Sequence, residues 1–266
     1  MYTINDKAYR FESIENVSSL FNNEVINATY IIHLENNGRY ENILEQIKQF
    51  KTTNKIYILH NKGFKSGLKQ KYIDKPPLDL VDAFLTCLKH AANNNYKNVL
   101  IFEDDFICHE KLLDKSITND ITNFIKSKTK KNEKFCYHLG VLPFVTSNTF
   151  ENHRKLFAGI GTHAVIYSDK FIKYSLSYKQ EDIDDWDYFK LLSLENKTYM
   201  YDKCLCYQPF PETENSKFWG SNGNFLTYIY FQSLHTSFKL FKFDTNPKFG
   251  FNKAYEMCIK IPTLSL

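Results

Sequence analysis

At 266 residues, with a net charge of +4, 43% hydrophobic and 24% charged side chains, the chain has the make-up of an ordinary globular protein. It is long enough for one large α/β domain or two small ones. The charge suits a small anionic ligand but falls short of a nucleic-acid-binding footprint, and no apolar run is long enough to span a bilayer. The start, MYTINDKAYRFESIE, lacks the basic and apolar regions of a signal peptide, so a cytoplasmic protein is expected. Its six cysteines, Cys87, Cys108, Cys136, Cys204, Cys206 and Cys258, are scattered and read as core thiols of a reducing compartment.

Taken in chain order, the pattern alternates strand and helix. ATYIIHL (28–34) reads as a strand, and GRYENILEQIKQF (38–50) carries Ile43, Leu44, Ile47 and Phe50 at helical spacing. KIYILH (55–60) is a second strand, followed by a basic loop, NKGFKSGLKQK. PPLDLVDAFLTCLKHAANNN (76–95) opens with prolines, as helices often do. NVLIFEDDFI (98–107) is a short apolar strand ending in three carboxylates. Beyond it the spacing predicts a polar helix over about 113–128, a strand at 134–140, a loop, and a strand in GTHAVIYS (161–168). A short helix capped by Ser168 comes next, then a helical 182–196, a strand KTYMYD, a loop over 207–224 and an aromatic tail. This alternation predicts one α/β domain with a mostly parallel central sheet flanked by helices.

The acidic trio raises a physical question. Glu103, Asp104 and Asp105 fall at the carboxyl end of a buried strand, where ligands bind in such sheets. If the strand stays extended, Glu103 and Asp105 point to one side and Asp104 to the other. Two carboxylates ~7 Å apart repel by roughly 2 to 3 kcal/mol at an effective dielectric of 20. An Arg or Lys, protonation or a divalent cation must offset that. The chemistry that fits is a Mn²⁺ or Mg²⁺ site with positions left for substrate phosphate oxygens, since no glycine pattern here matches a phosphate-binding loop.

A second acidic cluster, QEDIDDWDYF, holds Glu181, Asp182, Asp184, Asp185 and Asp187. Helix-dipole preference accounts for Asp182, whereas five acids around one Trp also suit a general base. His163, at the start of an apolar strand, reads first as a core or rim histidine. QPFPETENSKFWGSNG has the small amides and aromatic ring of a sugar-binding loop, and equally those of an ordinary surface loop.

Taken together, YIIHLENNGRYENI, NVLIFEDDFI, HLGVLPF with GTHAVIYSDKFI, DIDDWDYF and PETENSKFWGSN resemble the segments of glycosyltransferase family 25. That family holds the bacterial lipooligosaccharide galactosyltransferases and the collagen hydroxylysine galactosyltransferases. The resemblance spans residues 28 to 224, leaving 1–27 as an N-terminal extension and 225–266 as an aromatic C-terminal segment of one domain. It implies a GT-A fold, Rossmann-like, and an inverting transfer of galactose or glucose from a UDP-sugar to a glycan or protein hydroxyl, assisted by Mn²⁺. The metal would be held by Asp105 with Glu103, and His235 is added as a late ligand. Asp184, then Asp185, is the expected base. Sugar-nucleotide contacts fall to His33, Leu34, Arg39, Glu103 and Asp104, with Thr213, Glu214, Asn215 and Trp219 on the sugar or acceptor. Two rivals stand beside this reading: an inert sugar-nucleotide or glycan-binding module of the same fold, and a metal-dependent phosphohydrolase.

Overall fold

The computed structural model describes residues 1–187, 189, 197–208 and 264–265. Among the described residues, a ten-stranded sheet forms the centre. Its strands are β1 (Tyr9–Glu15), β2 (Ala28–Leu34), β3 (Lys55–Asn61), β4 (Asn98–Glu103), β6 (Phe135–His138), β7 (Leu142–Phe150), β8 (His153–Ile160), β9 (Ala164–Ser168), β10 (Lys197–Tyr201) and β12 (Leu264–Ser265). A separate two-stranded ladder joins β5 (Ile107–Cys108) to β11 (Cys206–Tyr207). The order in the large sheet is β1-β3-β2-β4-β9-β6-β10-β8-β7-β12. Seven strands run one way (β2, β3, β4, β6, β7, β10 and β12), and β1, β8 and β9 run against them.

Helices cover both faces of the sheet. On one face α1 (Tyr40–Gln49) and α3 (Lys115–Lys130) bury Ile43, Ile47, Ile121 and Phe124 against Ile31, Leu100, Phe102 and Ile166. On the other, α2 (Pro76–Asn93) and α4 (Asp169–Ser175) bury Phe84, Leu88 and Phe171 against Tyr30, Ile32, Val99, Ile101 and Tyr167. Successive residues of β4 therefore enter opposite cores, which is why its sequence is an unbroken apolar run. Local signals set the helix starts as the sequence suggests. Proline opens α2, the Ser168 hydroxyl accepts the Phe171 N–H, and the Asp114 carboxylate accepts the Ser116 N–H.

Two segments depart from the sequence reading. Residues 9–15, expected as part of an extension, form an edge strand paired antiparallel with β3. Its mixed burial gives no clean apolar run to detect. Residues 142–160, expected as a loop, form the β7–β8 hairpin. Pro143 argues against a strand in sequence, but the ladder shifts register between Pro143 and Val145, where a missing N–H is tolerated.

Candidate functional site

The site follows from connectivity. The chain leaves β2 through α1 on one face to reach β3, then returns through α2 on the other face to β4. β2 and β4 are neighbouring parallel strands, so the segments that follow them emerge side by side, and the crevice lies between those segments at the strands' carboxyl ends. Leu34, Asn37 and Arg39 come to it from the end of β2, and Glu103, Asp104 and Asp105 from the end of β4.

The strand ends at Glu103, and the Phe106 N–H returns to the Glu103 carbonyl in a turn. The expected alternation of side-chain directions therefore stops there. Arg39 lies 2.6 Å from Asp104 and 3.5 Å from Asp105, so these two share one guanidinium. Asp104 is almost fully paired. It accepts the Leu34 backbone N–H at 2.9 Å, the Asn37 amide at 2.5 Å and Arg39, with the His33 ring 3.7 Å away. Burial pushes the Asp104 pKa up, but His33, Arg39 and the Leu34 N–H outweigh it and hold it below the usual range. Leu34 and Arg39 thus each spend a donor on Asp104, and the His33 ring stands beside it.

Its two neighbours are in the opposite condition. Asp105 Oδ2 accepts the Gln208 amide at 2.6 Å, but Oδ1 is buried with no hydrogen-bond donor among the described residues. Burial, and then Asp104, push the Asp105 pKa to about 6. Glu103 accepts the Thr162 hydroxyl at 2.5 Å. Burial, then Asp105, and more weakly Asp187 and Asp104, push its pKa to about 8. Arg39 bonds Asp104 and acts more weakly on Asp105, and both Asp105 and Glu103 keep raised pKa values.

The second acidic cluster approaches from the far side of β9. Asp184 is exposed. Asp185 accepts the Asp187 N–H at 2.8 Å, which makes it a local turn cap. Asp187 is the member whose charge acts on Glu103, and its carboxylate accepts the Gly161 N–H at 3.3 Å. Gly161 has φ of +120°, a backbone state that favours glycine. His163 is buried and hydrogen-bonds the Cys206 carbonyl at 3.2 Å, a structural histidine tying β9 to β11. Gly140 is required nearby, since a Cβ there would run into that same carbonyl.

Thr213, Glu214, Asn215, Trp219 and His235 lie outside the described residues, as do residues 225–263 of the aromatic tail. Three contributors, Asn37, Thr162 and Gln208, were not singled out in the sequence, and Asp187 was named only as one of five acids around Trp186. Thr162 and Asp187 stood inside quoted motifs, and Gln208 at the start of the loop read as sugar-binding. Asn37 carried no signal, because its role depends on a turn brought to β4 only by strand pairing.

The residues fit a hard divalent cation. Among the described residues Asp105 Oδ1 is a buried oxygen without a donor, and Glu103 is a second carboxylate repelled by Asp105. Among the described residues no three His, Cys, Asp or Glu side chains form a ready-made metal cage. Mg²⁺ and Mn²⁺ commonly take one or two carboxylates and complete their shell with water and substrate phosphate.

No protein-family model matches this chain. No curated protein matches it either. Among solved structures, A197 from STIV is similar at 12% identity over 70% of this chain and 86% of that one, with a TM-score of 0.40. Apo UDP-glucose pyrophosphorylase is similar at 12% identity over 65% and 72%, with a TM-score of 0.35. UTP-bound UGPase from Acinetobacter baumannii is similar at 11% over 83% and 71%, with a TM-score of 0.33. Likenesses this distant leave function to the site itself. Among the described residues no helix is long and apolar enough to cross a membrane.

Proposed function

We propose that this protein is a glycosyltransferase that moves a hexose, galactose or glucose, from a UDP-sugar to an acceptor hydroxyl with inversion. The observation that carries the reading is the pair Glu103 and Asp105 at the β2/β4 crevice: two carboxylates, one with an unmatched buried oxygen, both disfavoured as anions. Asp105 and Glu103 would hold a divalent cation, which when bound would supply charge neutralisation for a diphosphate leaving group. Asp104, already neutralised by Arg39, Asn37 and Leu34, keeps that turn in shape. Asp184, the exposed member of the second acidic cluster, is the base assigned to the acceptor hydroxyl's proton. Asp187 positions the Gly161 backbone beside Glu103. The resemblance to glycosyltransferase family 25 supports the same reading, with a glycan or protein as acceptor.

The test is UDP release by the purified full chain over a panel of UDP-sugars, with Mn²⁺ and then with chelator. Chelator-sensitive release from one sugar is expected. Silence across the panel, with no UDP binding by calorimetry, would overturn catalysis in favour of an inert binding module.

A further inference from the structure

Two cysteines far apart in sequence meet beside the site without being used by it. Cys108 and Cys206 are directly opposite each other in the β5–β11 ladder, and their sulfurs are 3.6 Å apart, 98 residues apart in the chain. The Cys108 N–H goes to the Gln46 side chain, and the Cys206 N–H to the Leu139 carbonyl. The adjacent rung is the hydrogen-bonded one, with the His109 N–H on the Leu205 carbonyl. Cys108 and Cys206 thus form a non-hydrogen-bonded antiparallel pair, the kind with the closest side chains and Cα atoms about 4.5 Å apart. That spacing lies within the range a disulfide spans, and side-chain rotation alone can bring the sulfurs to about 2.05 Å.

We propose that Cys108 and Cys206 are a thiol–disulfide modification site, closing reversibly across the β5–β11 ladder when the folded protein meets a small organic disulfide. In the first step one cysteine thiolate attacks a sulfur of the small disulfide, and a small thiolate leaves with the proton lost by the cysteine. The second cysteine attacks the resulting mixed disulfide, and a second small thiol leaves. The two cysteines lose two electrons and two protons, which the small disulfide takes up as two thiols. Both sulfurs are buried, but each strand of the ladder is only two residues long, so local opening exposes them at low cost. The reach of the bond extends to the site. β5 begins two residues after Asp105, and β11 ends one residue before Gln208, whose amide holds Asp105. Closing the rung fixes Gln208 against that carboxylate.

The experiment is incubation of the folded full chain with glutathione disulfide, quenching with iodoacetamide, and peptide mapping by mass spectrometry. A cross-linked peptide joining residues 108 and 206, released by dithiothreitol, is expected. The oxidised protein is expected to melt higher by on the order of 5–10 °C, because a long loop is closed in the unfolded chain. Cys204→Ser should keep the cross-link, and Cys108→Ser should lose both the cross-link and the melting shift. A Cys204–Cys206 link, glutathione left on single cysteines, or no reaction would each overturn the proposal. The mapping is independent of any UDP-sugar, so it stands or falls separately from the glycosyltransferase reading.

Discussion

Two buried polar clusters in this protein use similar residues to opposite ends. In the first, Asp120 of α3 faces His153 of β8 at 3.1 Å, and His153 meets the Tyr137 hydroxyl at 2.8 Å. A carboxylate only accepts, so Nε2 of His153 carries its proton and Nδ1 receives the tyrosine O–H. Asn152 and Tyr201 also donate to Asp120, and Phe124 stacks on the His153 ring with centroids 4.1 Å apart. Burial pushes the Asp120 pKa up, but the hydrogen bonds from Asn152 and His153 prevail and hold it low. Here structure has matched donor to acceptor. At the end of β4 the match fails in the same fold: Glu103 and Asp105 stand in surroundings that disfavour their charged forms. Matched clusters stabilise a protein, whereas carboxylates pushed away from their ordinary pKa in a crevice mark places where a ligand completes the charge.

The comparison is broken most severely at Asp105. Asp105→Asn is expected to lower chelator-sensitive UDP release by about 10³-fold or more while leaving thermal stability unchanged or higher, since it removes a disfavoured charge. Initial rates and a melting curve on the same sample check this. Retained activity would remove Asp105 from the metal site.

Arg39 is the next largest. Arg39→Met leaves Asp104 buried beside two further carboxylates and is expected to cost about 3 kcal/mol of folding stability. Urea unfolding measures it, and a loss below about 0.5 kcal/mol would mean that Leu34 and Asn37 suffice to hold Asp104.

The smallest effect separates the two clusters by pH. Glu103 has a folded pKa raised above its unfolded value, so the folded state binds more protons between the ordinary glutamate range and about 8. Its contribution to stability is present below the unfolded pKa and lost as pH rises through that window. Asp104 and Asp120 have lowered folded values, so their stabilisation is present above the unfolded pKa and lost as pH falls through the folded one. Chelator-treated protein is therefore expected to lose stability from about pH 5 to 8, with Asp105 contributing up to about 6, and Glu103→Gln to flatten the part from about 6 to 8. Denaturant midpoints across the range decide it: an unchanged slope in the variant would place the alkaline loss elsewhere.

Much of this was written in the sequence, because it depends on short-range physics. The apolar run 99–102 had to be a strand buried on both faces, the prolines at 76 and 77 had to open a helix, and Ser168 had to cap one. The acidic trio at the end of β4 could be singled out for the same reason, since carboxylates after a buried strand need an explanation at any resolution of the fold. What sequence could not determine was who answers those charges. Arg39 and Asn37 lie more than sixty residues from Asp104, Gln208 more than a hundred from Asp105, and Thr162 nearly sixty from Glu103. Only the pairing of β2 with β4, β4 with β9 and β5 with β11 brings them within hydrogen-bond reach. The choice among a cation, a guanidinium and a proton for each carboxylate is thus a tertiary decision: Coulomb and desolvation terms depend on distance and burial, and neither exists until the sheet has formed.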